Sequence, residues 1–360
     1  MRIFSSYDTG IVVPSIVLIL ISLVLLSSLD IELFRSQLVF AILGAVVFVF
    51  ASSIHIRSLS RLQLFFYGGS IIFLLLVVFF GDDVRGSKRW LEFAGFRMQS
   101  SELIKPFLIL SFASILTGWK DKITLSRVGM SIGLFLPILI LLLRQPDLGS
   151  TLVYLSTFGF MILSAGMSMW YVVIAGASLA LSFPIIWRVL AQYQRDRIIT
   201  FINPQHDPLG VGYNAIQSTI AVGSGLLFGR GLGRGIQSQL QFLPERHTDF
   251  IFATLSEEFG FIGSIVVLVL YFLLLLRILQ IARRSQDAFL SLTSIGIFGV
   301  LLSQTFVNIG MNVGIVPITG VTLPLVSYGG SSLFSTMLLL GFANSISRDV
   351  GEKERILEIR

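Results

Sequence analysis

Residues 11–29, IVVPSIVLILISLVLLSSL, form one unbroken apolar run close to the start of the chain. A helix needs about 20 mostly apolar residues to cross the hydrocarbon core of a bilayer. This run is longer than the apolar core of a typical secretory signal, and it has no Ala-x-Ala cleavage pattern. The sequence therefore predicts a membrane-spanning helix that the mature protein retains.

Similar runs recur along the whole chain of 360 residues, of which 54% are hydrophobic and 13% charged. An ordinary soluble protein has about 25% charged residues. We expect an all-α polytopic integral membrane protein, with a single transmembrane domain over residues 1–360, about ten spanning helices and a cytoplasmic tail over 347–360. The predicted spans are 11–29, 37–54, 62–80, 102–118, 128–143, 148–165, 170–190, 250–281, 288–313 and 331–347.

Three segments interrupt this rhythm. Residues 81–101 are polar and basic, and residues 191–249 form a large predicted extracytoplasmic loop between the seventh and eighth spans. Residues 314–330, GIVPITGVTLPLVSYGG, carry no charge and are too apolar for an open loop and too rich in Gly and Pro for a helix. Non-helical backbone within a membrane is tolerated where it is buried in protein or lines a cavity.

The distribution of basic residues predicts the orientation in the membrane. If the N-terminus is cytoplasmic, half of the 26 Lys and Arg fall in cytoplasmic segments, as the positive-inside rule expects. Both termini then lie in the cytoplasm, and the three irregular segments lie on the outer face. The residues assigned to the cytoplasm are Arg2, Arg57, Arg61, Lys120, Lys122, Arg127, Arg277, Arg283, Arg284, Arg348, Lys353, Arg355 and Arg360.

The composition argues against several classes of chemistry. The chain has no cysteine, and its three histidines are far apart without an HExxH pattern, so disulfides, thiolate nucleophiles and a histidine-rich metal site are not expected. No P-loop motif is present, so ATP hydrolysis is not expected either. No feature of the sequence indicates a nucleic-acid partner.

The stretch LPERHTDFIF, residues 243–252, places four ionisable side chains within five residues, directly before an apolar run. Ionisable groups are costly inside a membrane and mark functional sites there. One interpretation is that Thr248 or Asp249 caps the following helix. The other is that Asp249 is a general base whose proton affinity is set by its surroundings, with Arg246 and His247 beside it.

A group of basic residues lies in or next to the segments assigned to the outer face. Arginine and lysine bind phosphate strongly where water is scarce, although side chains that reach lipid headgroups are the alternative. The glycines of FGRGLGRG, residues 228–235, allow backbone N–H groups close to an anion, but a flexible loop is the more ordinary explanation. The group comprises Arg89, Lys105, Arg195, Arg197, Arg230, Arg234 and Arg246.

Further acidic residues lie in or beside apolar runs. Glu102 and Lys105 are three residues apart and can pair on one helix face, unless Glu102 only belongs to a capped helix start. An ammonium group inside an apolar run requires a partner or a ligand. Asp147 is either a helix cap or a functional acid, and Glu257 and Glu258 are expected to be structural partners for arginines. Together with the basic group, these features indicate group transfer from an anionic, pyrophosphate-linked lipid at the outer leaflet.

Long ordered motifs resemble the SEDS family (shape, elongation, division, sporulation) over nearly the whole chain. The reading PERHTDFIF, with Arg246, favours the elongation branch, because sequences of the division branch tend to read PEAHTDFIF. One departure is Ser101, where many members have Pro. The matching motifs are GSKRWLEFAGFRMQSSELIKP (86–106), QPDLGS (145–150), YQRDRIITFINPQHDPLGVGYNAIQS (193–218), QSQLQFLPERHTDFIFATLSEEFGFIG (237–263) and NIGMNVGIVPITGVTLPLVSYGGSS (308–332).

The resemblance implies a peptidoglycan glycosyltransferase that polymerises lipid II, the undecaprenyl-pyrophosphate-linked disaccharide peptide, at the outer face of the bacterial cytoplasmic membrane. By motif, Asp249 corresponds to the essential acid of the family. A class B penicillin-binding protein and other membrane proteins of the elongation complex are the implied partners. The residues assigned to substrate binding are Arg89, Glu102, Lys105, Arg195, Arg197, Arg246 and His247.

Other functions are compatible with a polytopic chain of this kind. A lipid II flippase needs alternating access and usually internal repeats, which the sequence does not show. A scaffold without catalytic activity would tolerate Asp249→Asn, and a related ligase would transfer glycan to another acceptor. The sequence leaves open whether a divalent cation, Mg²⁺ or Mn²⁺, is required, since one acid without a cluster is thin support for a metal site.

Overall fold

The computed structural model describes residues 7–84, 87–93, 96–118, 125–190, 192–206 and 210–358. Short 3-10 helices over Ile56–Leu62 and Pro204–His206 accompany the α-helices. Within the described ranges the α-helices are α1 (Thr9–Leu29), α2 (Ile31–Ser53), α3 (Gln63–Phe80), α4 (Ser100–Leu103), α5 (Lys105–Thr117), α6 (Leu125–Arg144), α7 (Leu148–Ser164), α8 (Met169–Val189), α9 (Gln192–Ile202), α10 (Val211–Ser224), α11 (Ile236–Gln239), α12 (Ile251–Arg284), α13 (Ala288–Asn312) and α14 (Gly330–Glu358).

The ten predicted spans each coincide with one of these helices, so the prediction of an all-α polytopic membrane protein is confirmed. In the described part of the chain, six helical segments are long and apolar enough to cross a membrane: α1, α2, residues 56–80, α6, α12 and α13. Helices α5 and α7 are apolar but shorter, and α8 contributes the apolar stretch Met169–Ile185. Helix α14 starts with apolar residues and continues through the predicted tail as far as Glu358.

The spanning helices bury their apolar side chains around α13. Two thirds of the membrane-crossing residues of α13 are buried, and the helix contacts α5, α7 and α12. Helix α2 is the contrasting case, because only 11% of its membrane-crossing residues are buried and its remaining surface faces outward. It packs along α14 through one side. This pattern gives a bundle with α13 in its interior and α2 at its periphery.

The segment 81–101 is not an irregular loop, because it contains a small antiparallel sheet of β1 (Asp82–Val84), β2 (Ser87–Phe93) and β3 (Phe96–Gln99). Alternate residues of a strand share one face of the sheet. The register places Trp90 opposite Gln99 and Glu92 opposite Arg97, so these four residues share a face. The sequence prediction missed this sheet because strands of three to seven residues give little periodic signal.

The segment 191–249 is also more ordered than a simple loop, since it contains α9, α10 and α11. Helix α10 packs against α12. The Gln99 N–H donates to Ser331 Oγ at 3.1 Å and the Tyr328 N–H donates to the His247 carbonyl at 2.9 Å, so segments 81–101, 191–249 and 314–330 meet at one end of the bundle, which we call the loop face. The prediction that these three segments share one face of the molecule agrees with this arrangement.

The end of the bundle away from the loop face, which we call the opposite face, is stabilised by Asp8. This residue directly precedes α1. Its carboxylate oxygens accept hydrogen bonds from Arg277 Nε at 2.9 Å each, and its backbone N–H donates to Asn344 Oδ1 at 2.8 Å. Ser347 also donates to this carboxylate. The single acid thereby connects α1, α12 and α14.

We expect this cluster to make stability depend on pH. Burial alone would raise the pKa of Asp8, but hydrogen bonds from Arg277 and Ser347 outweigh it, so the pKa lies below its ordinary value of 3.8. A lowered carboxyl pKa stabilises the fold above the unfolded value, and this stabilisation is lost as the pH falls towards the folded value. Thermal unfolding in detergent should therefore show Asp8→Asn destabilised by about 1–3 kcal/mol at pH 7, with the difference from wild type shrinking as the pH falls below about 4.

The matched control is Asp30→Asn, since Asp30 is the exposed N-cap of α2 and asparagine caps equally well. That variant should change stability by no more than about 0.5 kcal/mol at either pH. An Asp8→Asn variant as stable as wild type at pH 7 would contradict the role assigned to the cluster.

Candidate active site

A cavity of about 710 Å³ opens at the loop face. One wall is the face of the β-sheet that carries Trp90, Glu92, Arg97 and Gln99, which we call the polar face. The other walls are the segment before α12 and the non-helical segment before α14. The lining residues are Phe40, Arg89, Trp90, Glu92, Arg97, Gln99, Glu245, His247, Thr248, Asp249, Gly320, Thr322, Tyr328, Gly329, Gly330, Ser331 and Ser332.

Asp249 lies in this cavity and does not cap α12. The helix begins at Ile251, its N-cap position is Phe250, and no side chain caps it. The Thr248 hydroxyl instead donates to Glu245 Oε2 at 2.9 Å. The interpretation of Thr248 or Asp249 as a helix cap is therefore wrong, because the Thr248 hydroxyl is bonded to Glu245 and the N-cap position falls on Phe250, whose side chain has no acceptor.

A glycine leaves room for the Asp249 carboxylate. Gly320 has a φ of +72°, and a Cβ at this position would lie 3.3 Å from Asp249 Oδ2. The left-handed conformation costs glycine little but strains other residues. The Gly/Pro-rich segment thus forms the wall that the carboxylate faces.

Two asparagines of α13, which the sequence analysis did not single out, hold the backbone of Asp249. Asn308 Nδ2 and Asn312 Nδ2 donate to the Asp249 carbonyl at 2.9 and 3.0 Å. Asn308 Nδ2 also donates to the Val321 carbonyl at 2.7 Å, and Asn312 Oδ1 accepts from the Ala253 N–H at 3.0 Å. Both side chains are fully buried. Their spacing of four residues near the end of an apolar helix is the signal that would have identified them.

The non-helical segment 314–330 is tied to the motif that contains Asp249. Tyr328 N–H donates to the His247 carbonyl at 2.9 Å, and the two rings lie 5.6 Å apart. The Ser327 hydroxyl donates to the Thr248 carbonyl at 2.6 Å. The expectation that this segment has non-helical backbone lining a cavity is confirmed.

The basic side chains predicted to bind substrate do not all lie in the cavity with Asp249. Arg89 and His247 line the cavity with Asp249, and the sheet adds Arg97, which the sequence analysis did not assign to the site. Arg197 lines a second cavity of about 410 Å³ beside α10. Arg195 Nη2 donates to the Arg188 carbonyl at 2.9 Å and lines neither cavity.

Arg246 lies outside the lining of the Asp249 cavity. Burial lowers its pKa, and the negative charge of Asp30 partly opposes this effect. Within the described ranges, Nε of Arg89, Arg195 and Arg246 is buried without a hydrogen-bond partner.

Glu102 and Lys105 form a buried ion pair and do not line the cavity. Lys105 Nζ lies 2.5 Å from Glu102 Oε1, with side chains 1% and 6% exposed. Gln304 Nε2 of α13 donates to the same oxygen at 3.3 Å. The prediction that this pair contacts substrate is untested, whereas the pairing itself is observed.

Asp147 connects this pair to the cavity wall. It is the N-cap of α7, as one interpretation expected, because Oδ1 accepts from the Ser150 N–H at 3.0 Å. Its Oδ2 accepts from the Ser101 hydroxyl at 2.8 Å and from Gln99 Nε2 at 3.2 Å. A proline at position 101 would lack the hydroxyl that makes this hydrogen bond to Asp147.

Glu257 and Glu258 are structural, but their partners are not arginines as predicted. Glu257 accepts from the N–H groups of Gln237 and Ser238 at the start of α11, at 2.9 and 3.0 Å. Glu258 accepts from the hydroxyl of Ser28 at 2.8 Å. Hydrogen-bond donors satisfy these buried acids and connect α12 to its neighbours.

The FGRGLGRG motif packs against a kink in α12 and does not present its backbone to an anion. Gly260 interrupts the helix with a φ of +69°. The N–H groups of Arg230 and Gly231 donate to the freed carbonyls of Glu257 and Glu258, at 2.9 and 3.1 Å. The glycines therefore allow close backbone contact.

We expect Gly229→Ala to lower stability by at least about 2 kcal/mol. Gly229 has a φ of +80°, and a Cβ there would overlap the carbonyl oxygen of Glu258. The control is Gly223→Ala in α10, where a Cβ would meet no atom within 4 Å and alanine favours a helix. Thermal unfolding in detergent should show a clear loss for the first variant and none for the second; equal stability of the two would contradict the close contact.

The described residues bring no three His, Asp or Glu side chains together as a metal site. Asp249, Glu245 and His247 line one cavity, but they do not converge in this way. The question whether a divalent cation is bound jointly by Asp249 and substrate phosphates, which the sequence left open, is untested.

Comparison with known proteins assigns the chain to a family. Residues 3–352 match the model of the FtsW, RodA and SpoVE family, described as cell cycle protein. The chain belongs to the FtsW/RodA/SpoVE family. It is 39% identical to the peptidoglycan glycosyltransferase MrdB of Escherichia coli (strain K12) over 92% of both chains, and 32% identical to the peptidoglycan glycosyltransferase RodA of Treponema pallidum over 87% of this chain and 89% of that one.

Solved structures agree with the sequence matches to this SEDS family. A chain from a peptidoglycan synthase complex that coordinates polymerization and crosslinking superposes with a TM-score of 0.83, at 32% identity over 96% of this chain and 98% of that chain. The RodA protein of Thermus thermophilus superposes with a TM-score of 0.73, at 30% identity over 95% and 97%. The predicted resemblance to the SEDS family, with RodA among its members, is confirmed.

Proposed function

We propose that this chain, a peptidoglycan glycosyltransferase of the SEDS family, polymerises lipid II into glycan strands for cell elongation. The observation that supports this most directly is the position of Asp249. Its backbone is fixed by two buried asparagines, and its side chain lies in a cavity that also contains Arg89 and Arg97. A carboxylate and cations in one cavity suit the transfer of a sugar from a pyrophosphate.

In the proposed reaction Asp249 accepts the proton of the C4 hydroxyl of the acceptor N-acetylglucosamine. The oxygen then attacks the anomeric carbon of the donor glycan. The new glycosidic bond forms as the bond to the pyrophosphate oxygen breaks, and undecaprenyl pyrophosphate leaves with the bonding electrons. Because attack comes from the side opposite the leaving group, an α-linked donor gives a β-linked product.

We assign Arg89 and Arg97 to the leaving pyrophosphate, because both line the cavity that contains Asp249. Fixed cations lower a barrier most where negative charge develops during the reaction. His247 is assigned to sugar or phosphate contacts in the same cavity. Arg195, Arg197 and Arg246 lie outside this cavity and suit more distant parts of a long lipid-linked substrate.

The loop face is assigned to the outer surface of the membrane, and the termini to the cytoplasm. Arg57, Arg283 and Arg348 at the opposite face support this orientation, since positive charge favours the cytoplasmic side. A class B penicillin-binding protein is the proposed partner, together with other membrane proteins of the elongation complex. The similarity to a chain of a complex that crosslinks as well as polymerises supports such a partnership.

The test is incubation of the purified protein with lipid II, with and without its transpeptidase partner, followed by gel separation of the products. A ladder of glycan strands is the expected result. If no ladder forms under any partner condition, while labelled lipid II crosses vesicles that contain the protein, the flippase interpretation replaces this one.

A further inference from the structure

A third cavity, with a volume of about 820 Å³, lies at the opposite face, remote from Asp249. It lies where α2 ends, between the 3-10 helix over Ile56–Leu62 and the last turns of α14. The lining residues are Ser53, His55, Ile56, Arg57, Ser58, Ser60, Arg61, Leu290, Ser345, Arg348, Asp349 and Glu352. We call it the basal cavity.

Part of the charge in the basal cavity is already paired. Arg57 Nε lies 2.8 Å from Asp287 Oδ2, and Arg57 Nη2 lies 3.1 Å from Asp349 Oδ2. This guanidinium therefore bridges the start of α13 and the end of α14. It shapes the wall of the cavity and is not the cation that remains for a ligand.

Two other arginines retain their charge for a ligand. The side chains of Arg61 and Arg348 have no ion-pair or hydrogen-bond partner among the residues that the structure describes, and both line the cavity. The lining contains three arginines and two acids, Asp349 and Glu352, so it carries one net positive charge, and Glu352 is the lining acid without a partner in the described part of the chain. Two arginines without acidic partners in the same recess can bind phosphate oxygens through charge-assisted hydrogen bonds.

The surroundings indicate that this phosphate belongs to a lipid. Arg61 is followed by Leu62, Leu64 and Phe65, whose side chains are 44%, 74% and 74% exposed at the start of a spanning helix. A ligand next to Arg61 thus meets a charged recess on one side and a lipid-facing apolar surface on the other. Basic pockets between helix ends on the cytoplasmic side are typical binding sites for anionic lipid headgroups.

We propose that the basal cavity binds the phosphate headgroup of an anionic phospholipid through Arg61 and Arg348. The acyl chains lie along the exposed apolar residues at the start of α3. The site is distinct from the cavity that contains Asp249, at the other end of the bundle. A lipid bound in this cavity would contact both the 3-10 helix and α14, so the charge of the surrounding leaflet would act on both.

The test is binding of dihexanoyl phosphatidylglycerol to the purified full-length protein in a non-ionic detergent, measured by native mass spectrometry. Arg61→Gln with Arg348→Gln should weaken binding by at least about tenfold, because two charged hydrogen-bond donors are lost. The control is Arg283→Gln with Arg284→Gln, which removes two charges from the same face outside the cavity. That control should change affinity by less than about twofold.

A third variant has the opposite expected sign. Glu352→Gln removes the unpaired acid of the cavity and should tighten binding by about two- to threefold. Because a misfolded protein would bind less tightly, misfolding cannot produce this result. Dihexanoyl phosphatidylcholine and glycerol 3-phosphate are the other probes. Phosphatidylglycerol should bind more tightly than either, since one lacks net charge and the other lacks acyl chains.

Three outcomes would overturn the proposal. Equal weakening by the cavity and control variants would show general electrostatic attraction. Glycerol 3-phosphate binding as tightly as the lipid would make this a site for a free phosphate. An oligoglutamate peptide that binds more tightly than phosphatidylglycerol, and is lost in the cavity variant, would assign the cavity to an acidic protein segment.

Discussion

Asp249→Asn should abolish the glycan ladder, with a fall in polymerisation rate of about 10²–10⁴-fold. Asparagine has nearly the shape of aspartate but accepts no proton at neutral pH. The Asn308 and Asn312 hydrogen bonds go to the Asp249 backbone carbonyl, so they persist in the variant. Initial rates of lipid II consumption, measured with the transpeptidase partner present, give the size of the effect.

The control for this variant is Asp287→Asn. Asp287 is the N-cap of α13 at the opposite face, and asparagine retains the capping hydrogen bonds that its Oδ1 accepts from Phe289 and Leu290. Asp249→Asn should unfold within about 2 °C of wild type, and Asp287→Asn, which also loses its ion pair with Arg57, should unfold up to about 4 °C lower; only Asp249→Asn should lose activity. If Asp249→Asn gave a ladder comparable to that of wild type, the Asp249 carboxylate would not be the general base. Either another acid would take that role, or the protein would be a scaffold without catalytic activity.

The sequence predicted the spanning helices, and it indicated the candidate site, because both leave direct signals. Apolar runs of membrane length identify α1, α2 and α13 without reference to tertiary structure. The charges of LPERHTDFIF are conspicuous in a chain that is only 13% charged. The SEDS motifs then supplied a role for Asp249 that composition alone does not give.

The parts that the sequence did not predict depend on tertiary contacts. Arg97 reaches the cavity because the register of β2 and β3 places it opposite Glu92 on the polar face of the sheet. Asn308 and Asn312 resemble isolated polar residues in an apolar helix until their bonds to the Asp249 carbonyl are seen. The start of α12 was predicted to within one residue, but its cap was not, because propensity favours Asp249 whereas the N-cap position falls on Phe250.

Lys105→Met should give the largest loss of stability, about 3–5 kcal/mol, because it leaves the Glu102 carboxylate buried without its counter-ion. The Glu102 side chain is 6% exposed, and Oε2 has no hydrogen-bond partner among the described residues. The double variant Glu102→Gln with Lys105→Met removes both charges and should recover most of the loss. Thermal unfolding in detergent, followed by tryptophan fluorescence, measures both effects.

The control is Arg35→Met, which breaks another ion pair of the same spacing. Arg35 Nη1 lies 2.7 Å from Glu32 Oε1, with side chains 67% and 71% exposed, so its loss should cost no more than about 0.5 kcal/mol. An equally small loss for Lys105→Met would contradict a structural role for the buried pair.

The double variant also separates the two roles assigned to Lys105. If the buried pair only supports the fold, the double variant should regain polymerisation together with stability. If Lys105 also contacts the pyrophosphate during the reaction, stability returns while the ladder does not. The second result would mean that the pair opens towards the Asp249 cavity when substrate binds, since Asp147 and Ser101 already connect its helix to the cavity wall at Gln99.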